Sequence, residues 1–357
     1  MSQNKKRILW WGRFGNYGPD YPRNRTLIQC LRNLGWEVVE YQPRISAVAH
    51  FEAAVRGFDN ISAVWVPCFR QRDVCSAAKW AKARAVPLIF DPLISAYDKR
   101  VNERKKFPAN SKAAQKVLRW ERDIFSKADF VIADTLCHQD YFSKMFDYDR
   151  EGIIVLPVSA EESLFYPEDS SLASTPEVLF FGTFIGLQGA EYIAESIRYY
   201  QGAPISLTFL GDGPDKALVE KIALEHPNEN VIVKFENWIP FSELASRICR
   251  VQVCLGVFGV GDKSFRVIPN KVYQALACDK PVVTMKGGAY PDMPENGTGG
   301  IYWSQAGKPQ DIARQLELAV SDYIKGRNEK GKARLLYDTY FSNSIISDRL
   351  NQILKPL

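Results

Sequence analysis

The chain runs twice through the same alternation of short apolar segments and helix-length amphipathic segments, and this constrains its fold more than any one motif does. Residues 7–11 read as a first strand, 23–34 as a helix closed by Gly35, and 36–41 as the next strand. A short apolar strand follows at 63–67, a helix at 74–85, a strand at 86–90 that ends at Asp91, a long amphipathic helix at 113–128 and a strand at 129–133. Residues 166–176 then make a polar linker bearing proline and serine. The alternation restarts with a strand at 178–181, a helix at 191–200, and strands at 206–210 and 231–235. Strands alternating with helices imply parallel sheets covered on both faces. At 357 residues the chain exceeds one domain of about 100–200 residues, so two doubly wound halves are expected.

Composition sets wide bounds. Hydrophobic residues at 46% and charged residues at 24% suit an ordinary globular protein, and a net charge of +5 suits phosphate-bearing ligands without demanding them. Residues 1–7 are polar and basic, and the apolar run 8–11 is too short for a signal segment. No run of about 18 apolar residues suggests a spanning helix. Seven cysteines, with no Cys-x-x-Cys, point to free thiols in a reducing cytoplasm. The three histidines, His50, His138 and His226, lack metal spacing and read as surface or half-buried side chains. Nothing resembles a nucleic-acid recognition motif.

The most informative segment is 251–284. A buried strand at 251–258 runs into a glycine-bearing loop. A helix follows with Pro269 near its first turn, where a missing N–H is tolerated. Val272, Ala275 and Leu276 fall on a core face, which leaves Asn270, Lys271 and Gln274 on another face near the anion-favouring helix N-terminus. Residues 280–284 return as a strand. This arrangement suits a nucleotide diphosphate.

The segment resembles the donor site of the retaining GT-B glycosyltransferases of family 4. There a helix reading E-A-L/M-A-x-G-x-P-V-V carries the second glutamate of an E-x(7)-E pair. Aligned on Ala275-Leu-Ala-Cys-Asp-Lys-Pro-Val-Val283, the second glutamate is Gln274, the first is Arg266 and the helix glycine is Asp279. The Arg-Val-Ile-Pro-Asn-Lys run looks like a bacterial subgroup lacking that acidic pair. The likeness extends along the chain. Residues 118–135 resemble the helix and strand before the hinge, and 154–167 the route into the linker. Residues 180–189 resemble the first donor-domain loop, and 210–214 the next glycine turn. The resemblance implies an α/β GT-B fold of two Rossmann-like domains with a central cleft. Its parts would be an acceptor-side domain at 1–165, a linker at 166–176, a donor domain at 177–334 and returning helices from about 335 to 357.

Ligands of parallel sheets lie at the carboxyl ends of strands. Candidate donor-binding residues are therefore Gly15, Gly182, Thr183, Gly211, Trp238, Ile239, Pro269, Asn270, Lys271 and Gln274. Gly12, Gly15 and Gly18 form either a flexible turn or a loop whose backbone approaches a sugar. Thr183 and Gln188 stand where the family carries a phosphate-binding arginine and lysine, so Arg266 and Lys271 are the candidates to hold the diphosphate. An exposed loop cation is the alternative for Arg266, and Trp238 reads either as a wall for the base or as ordinary core. Asp91 is the candidate for orienting the acceptor or stabilising positive charge at the anomeric carbon; a loop carboxylate capping a turn is the alternative. Asp98, Arg100 and Arg104 are acceptor-side candidates. The basic stretch 99–122 is either a solvated face or a docking site for anionic lipid or a lipid-linked acceptor.

The resemblance implies transfer of a hexose-type sugar, with retention, from a UDP- or GDP-sugar to a hydroxyl of a glycan or lipid-linked acceptor. No metal or other cofactor is expected, and the setting would be bacterial surface-polysaccharide or glycolipid synthesis at the inner face of the plasma membrane. The alternatives are a sugar-nucleotide epimerase on the same fold and a catalytically weak protein that binds a sugar or a partner.

Overall fold

The computed structural model describes residues 6–12, 21–169, 174–295 and 300–355. Gly15 and Gly18, like residues 170–173 of the linker, lie outside the described residues. Two compact units emerge, Met1–Val158 with Asn343–Leu357, and Ser159–Ser342.

In the first unit six parallel strands, β1 (Arg7–Trp11), β2 (Glu37–Tyr41), β3 (Ile61–Val66), β4 (Leu88–Phe90), β5 (Phe130–Ala133) and β6 (Ile153–Val155), lie in the order β2-β1-β3-β4-β5-β6. The helices between them are α1 (Pro22–Asn33), α2 (Ala49–Arg56), α3 (Val74–Lys82), α4 (Lys112–Phe125) and α5 (Leu136–Phe146). Successive side chains of a strand point to opposite faces, and β1 shows what that does when both faces are covered. Leu9 and Trp11 join one core with Trp80 and Phe90, while Ile8 and Trp10 join another with Leu27 and Leu31. Trp10 stacks on Trp65 of the neighbouring strand at 5.6 Å.

The second unit repeats the plan with β7 (Glu177–Phe181), β8 (Ile205–Leu210), β9 (Val231–Glu236), β10 (Val253–Leu255), β11 (Val282–Met285) and β12 (Ile301–Ser304). Their order is β12-β11-β10-β7-β8-β9, all parallel, so the order reverses between β7 and β10. Its helices are α6 (Ala190–Ser196), α7 (Lys216–Glu225), α8 (Phe241–Cys249), α9 (Asp262–Arg266), α10 (Asn270–Ala277), α11 (Pro309–Ile324) and α12 (Lys332–Tyr340).

The chain's return differs from the expectation of a helix pair from about 335. α12 stays with the second unit, packed on α10, and only α13 (Asn343–Leu354) joins the first. Ile346, Leu350 and Leu354, spaced every four residues along α13, enter the core beside α1. His138 also departs from its reading as surface or half-buried: it is buried, hydrogen-bonded through Nδ1 to Asp134 and stacked on Phe142. Among the described residues no helix is long and apolar enough to cross a membrane.

Candidate active site

The reversal of strand order between β7 and β10 opens a crevice at their carboxyl ends, where open α/β sheets bind ligands. Three backbone turns meet there, and they meet closely. Gly182 ends β7 with φ of 147°, and Gly211 ends β8 with φ of 135°. A Cβ on Gly211 would lie 2.1 Å from the Gly182 carbonyl oxygen. The loop after β7 also touches the loop after β10: a Cβ on Gly189 would lie 2.5 Å from the Gly259 nitrogen. Only glycine fits such contacts.

Lys271 sits behind these turns. It is the second residue of α10, whose N-cap is Pro269, and it is 5% exposed. Its Nζ lies 3.6 Å from the centroid of the Phe180 ring and 3.0 Å from where a Gly182 Cβ would stand. No hydrogen-bond acceptor reaches this Nζ. A desolvated cation over a ring gains about 2 kcal/mol, whereas burying an ammonium costs several. Burial therefore wins, and the Lys271 amine is held well below the usual lysine range. Beside it, the Gln188 Oε1 is also buried without a partner, and its Cδ lies 4.0 Å from the same Gly182 Cβ position. A buried donor and a buried acceptor thus stand together under a glycine turn. An anion accepting from that ammonium would repair its unmet hydrogen bonding and its lost hydration together.

The helix is more buried than its periodicity implied. Residues 271–277 are all buried, so Lys271 and Gln274 face protein rather than a solvated polar side. Gln274 lies one turn beyond Lys271 and is 6% exposed. Asn270 and Pro269 are half-buried at the helix start, and Arg266 is half-buried at the end of the short helix α9. Thr183 is exposed on the β7 turn. Trp238 is 50% exposed after β9, which excludes the ordinary-core reading, and Ile239 beside it is half-buried. Sequence reasoning missed Lys216, whose Nζ donates to the Gly211 carbonyl at 3.3 Å and to Asn237 at 3.2 Å. Its signal was a lysine opening the helix after the Gly-Asp-Gly-Pro turn.

Asp279 explains one departure from the family pattern. It adopts φ of 57°, the left-handed conformation that a glycine takes with less strain at a helix end. Its carboxylate accepts from the Gly331 and Arg334 N–H groups at 2.6 and 3.0 Å and so caps α12.

The acceptor-side candidates lie in the first unit, and two of them turn inward. Asp91 has no exposed surface. Arg23 Nε donates to its Oδ2 at 2.8 Å, while Arg23 Nη1 donates to the Leu156 and Pro157 carbonyls at 3.1 and 3.0 Å. Burial opposes the Arg23 charge, yet the facing Asp91 carboxylate outweighs it and raises the guanidinium above its ordinary range. Expected beside an acceptor, Asp91 instead locks the start of α1 to the strand ends. Asp98 is buried and accepts from Asn102 at 2.7 Å. Arg100 is half-buried and Arg104 exposed, on a π-helical turn at Asp98–Glu103 and just after it. Glu121 ties that turn down: its carboxylate accepts from Ser95 Oγ, Ala96 N and Tyr97 N at 2.7, 2.6 and 2.7 Å.

A cavity of about 240 Å³ lined by Gln252, Cys278, Lys280 and Lys330 lies at the amino ends of β10, β11 and β12, the opposite strand edge from the Lys271 turns. Among the described residues no three His, Cys, Asp or Glu side chains gather as metal ligands.

Comparison with known proteins agrees with this geometry. Residues 175–322 match the family model of Glycosyl transferases group 1. The matched residues lie within the second unit. Lys271, Gly182 and Gly211 all fall within the matched residues. A probable glycosyltransferase of Pseudomonas aeruginosa, WbjE, is 27% identical over 175 residues, which cover 45% of this chain and 42% of WbjE; the match thus spans less than half the length of that relative. Among solved structures, HepE of Anabaena in complex with UDP and glucose aligns with a TM-score of 0.69 at 15% identity, over 99% of this chain and all of that one. A glycosyltransferase from Rickettsia africae aligns with a TM-score of 0.70 at 11% identity, over 99% of both chains. The chain has the GT-B fold, two Rossmann-like units each built on a parallel sheet.

Proposed function

We propose that the chain is a retaining glycosyltransferase that moves a hexose-type sugar from a UDP- or GDP-sugar to a hydroxyl of a glycan or lipid-linked acceptor. The observation that carries this reading is the buried, unpartnered Lys271 amine under the Gly182 turn, within the residues that match the group 1 model. A diphosphate is the ligand whose charge and acceptor oxygens answer that environment. The UDP and glucose held by the Anabaena relative support a uridine donor.

In this reading Lys271, with Arg266 and the backbone at Gly182 and Thr183, balances the charge that grows on the departing diphosphate, which is the main demand such a transfer makes on the protein. Gln274 takes a ribose hydroxyl, and Trp238 with Ile239 walls the base. The anomeric carbon–oxygen bond to phosphate breaks and the acceptor oxygen bonds on the same face. Its proton passes to the leaving phosphate, so neither a strong protein base nor a metal is needed. The setting is surface-polysaccharide or glycolipid synthesis at the cytoplasmic face of a membrane.

Calorimetry with UDP, GDP and ADP tests the donor assignment, and proton NMR of the anomeric centre in the product tests retention. Tight binding of one diphosphate and a product of unchanged anomeric configuration are expected. Silence toward every diphosphate would overturn the enzyme reading, and an inverted product would overturn retention alone.

A further inference from the structure

We propose that the cavity at the amino ends of β10, β11 and β12 is a second ligand site, which takes a small monocarboxylic acid with an apolar body. This goes beyond the donor chemistry, because the cavity lies at the opposite strand edge from Lys271. Its volume of about 240 Å³ is the room of about eight waters, less than a drug-sized ligand needs, so the occupant is a small metabolite. Val251, Pro281 and Ala333 are buried and give it an apolar wall where the chain enters β10, β11 and α12.

The lining charges select the occupant. Four acids line the cavity, and each already has a donor. Asp169 pairs with Lys330 at 2.8 Å and Glu329 with Lys332 at 2.9 Å, Asp279 caps α12, and Glu168 accepts from the Tyr166 hydroxyl. Arg327 faces Asp322 at 3.7 Å. Two donors stay uncommitted, at the starts of the neighbouring strands β10 and β11. Gln252 is 3% exposed, and its Oε1 accepts from the Glu177 N–H at 2.6 Å. That bond fixes which way the amide points and leaves Nε2 buried without an acceptor. Lys280 is half-buried, and among the described residues its ammonium pairs with no acid. Its charge reaches the Cys278 thiol, which belongs to the same cavity wall. A carboxylate takes charge-assisted hydrogen bonds from such a pair. A phosphate monoester carries a charge of about −1.5 to −2, more than one lysine balances. The exposed acids Glu168, Asp169 and Glu329 would repel the excess. A neutral ligand would leave the ammonium unpaired.

The test is ligand-observed NMR of the full chain with benzoate and hexanoate, beside benzamide and phenyl phosphate as neutral and dianionic counterparts. Both carboxylates are expected to bind, benzoate about tenfold more tightly than benzamide or phenyl phosphate. Lys280→Met should lower benzoate affinity by about tenfold while the melting temperature holds, and Lys280→Arg should restore most of it. Gln252→Glu keeps an acceptor for the Glu177 N–H and removes the uncommitted donor, so it should weaken benzoate as well. Silence toward both carboxylates, or a Lys280→Met protein that binds benzoate as well as the wild type, overturns the proposal. So does benzoate binding that Lys280→Met keeps and Lys271→Met loses, which would move the carboxylate to the donor crevice. Phenyl phosphate bound as tightly as benzoate would overturn the monocarboxylate assignment.

Discussion

Arg23 Nε donates to Asp91 Oδ2 at 2.8 Å, and neither side chain exposes any surface. Removing one partner of a buried pair leaves the other charge stranded, at roughly 3–5 kcal/mol. Asp91→Asn should therefore destabilise the first unit on that scale in urea unfolding, while nucleotide affinity holds because Lys271 lies in the other unit. The pair Asp91→Leu with Arg23→Met should be more stable than either single variant. An Asp91→Asn protein as stable as the wild type would show that the ion pair carries no weight.

Lys271→Met keeps the side chain's length and apolar contacts and removes its charge. Loss of a charged hydrogen bond should weaken nucleoside diphosphate binding by about 1.5–3 kcal/mol in calorimetry. The unliganded variant should melt higher than the wild type at neutral pH, because folding no longer has to strip this lysine of its proton or bury its charge without a partner. Undiminished affinity would remove Lys271 from the diphosphate site, whatever the melting temperature does.

That stabilisation has a pH window of its own. Burial lowers the Lys271 amine in the folded chain, while the unfolded chain keeps the ordinary value of about 10.4. Between the two the unfolded state binds the extra proton, so wild-type stability rises with pH across the window. The advantage of Lys271→Met should thus shrink as pH climbs toward about 10.4. A diphosphate favours the charged amine, so wild-type binding should take up a proton. Calorimetry in two buffers of different ionisation enthalpy measures this; an identical heat in both would contradict it.

Much of the fold was legible. The strand at 7–11 matches β1, and the restart after the linker matches β7, because fully buried strands read as unbroken apolar runs. α2 was not legible, and the segment between 41 and 63 stayed unassigned. Its inward face is two alanines while its outward face carries Phe51 and Val55, so the usual burial pattern is inverted. At the site, residue type identified Lys271 but not its environment. Periodicity assigns lysine and glutamine to a wet face, whereas α10 is enclosed by the β10 and β11 strands and by α12. Asp91 shows the same limit. A carboxylate at a strand end marks a polar junction, and only the fold reveals that Arg23, 68 residues earlier, meets it.

Glu121 belongs to the basic stretch in sequence but serves the turn at 95–98. Its carboxylate takes one hydroxyl and two backbone N–H donors, so Glu121→Ala leaves these buried groups short of acceptors. Each unsatisfied buried donor costs about 1–3 kcal/mol, and local relaxation should hold the total near the scale of one or two of them. Hydrogen exchange should quicken at Ala96 and Tyr97. Unchanged protection at both amides would show that the turn holds itself.

Gly211→Ala tests the glycine turns directly. The new Cβ would stand 2.1 Å from the Gly182 oxygen, and φ of 135° is a conformation that L side chains rarely adopt, so the turn must move. Gly182 is tied to it, since its N–H donates to the Leu210 carbonyl at 3.0 Å. Lys271 Nζ lies 3.0 Å from the Gly182 Cβ position, so the shift reaches the amine that the diphosphate would meet. Nucleotide affinity should fall by at least about tenfold, which is 1.4 kcal/mol, with a loss of stability of about 1–3 kcal/mol from the strained backbone. Gly261→Ala is the control: it lies in the loop after β10, has an extended φ of −75°, and a Cβ there meets nothing within 4 Å. It should leave binding unchanged. Equal affinities for Gly211→Ala and Gly261→Ala would mean that the β8 turn does not shape the donor site.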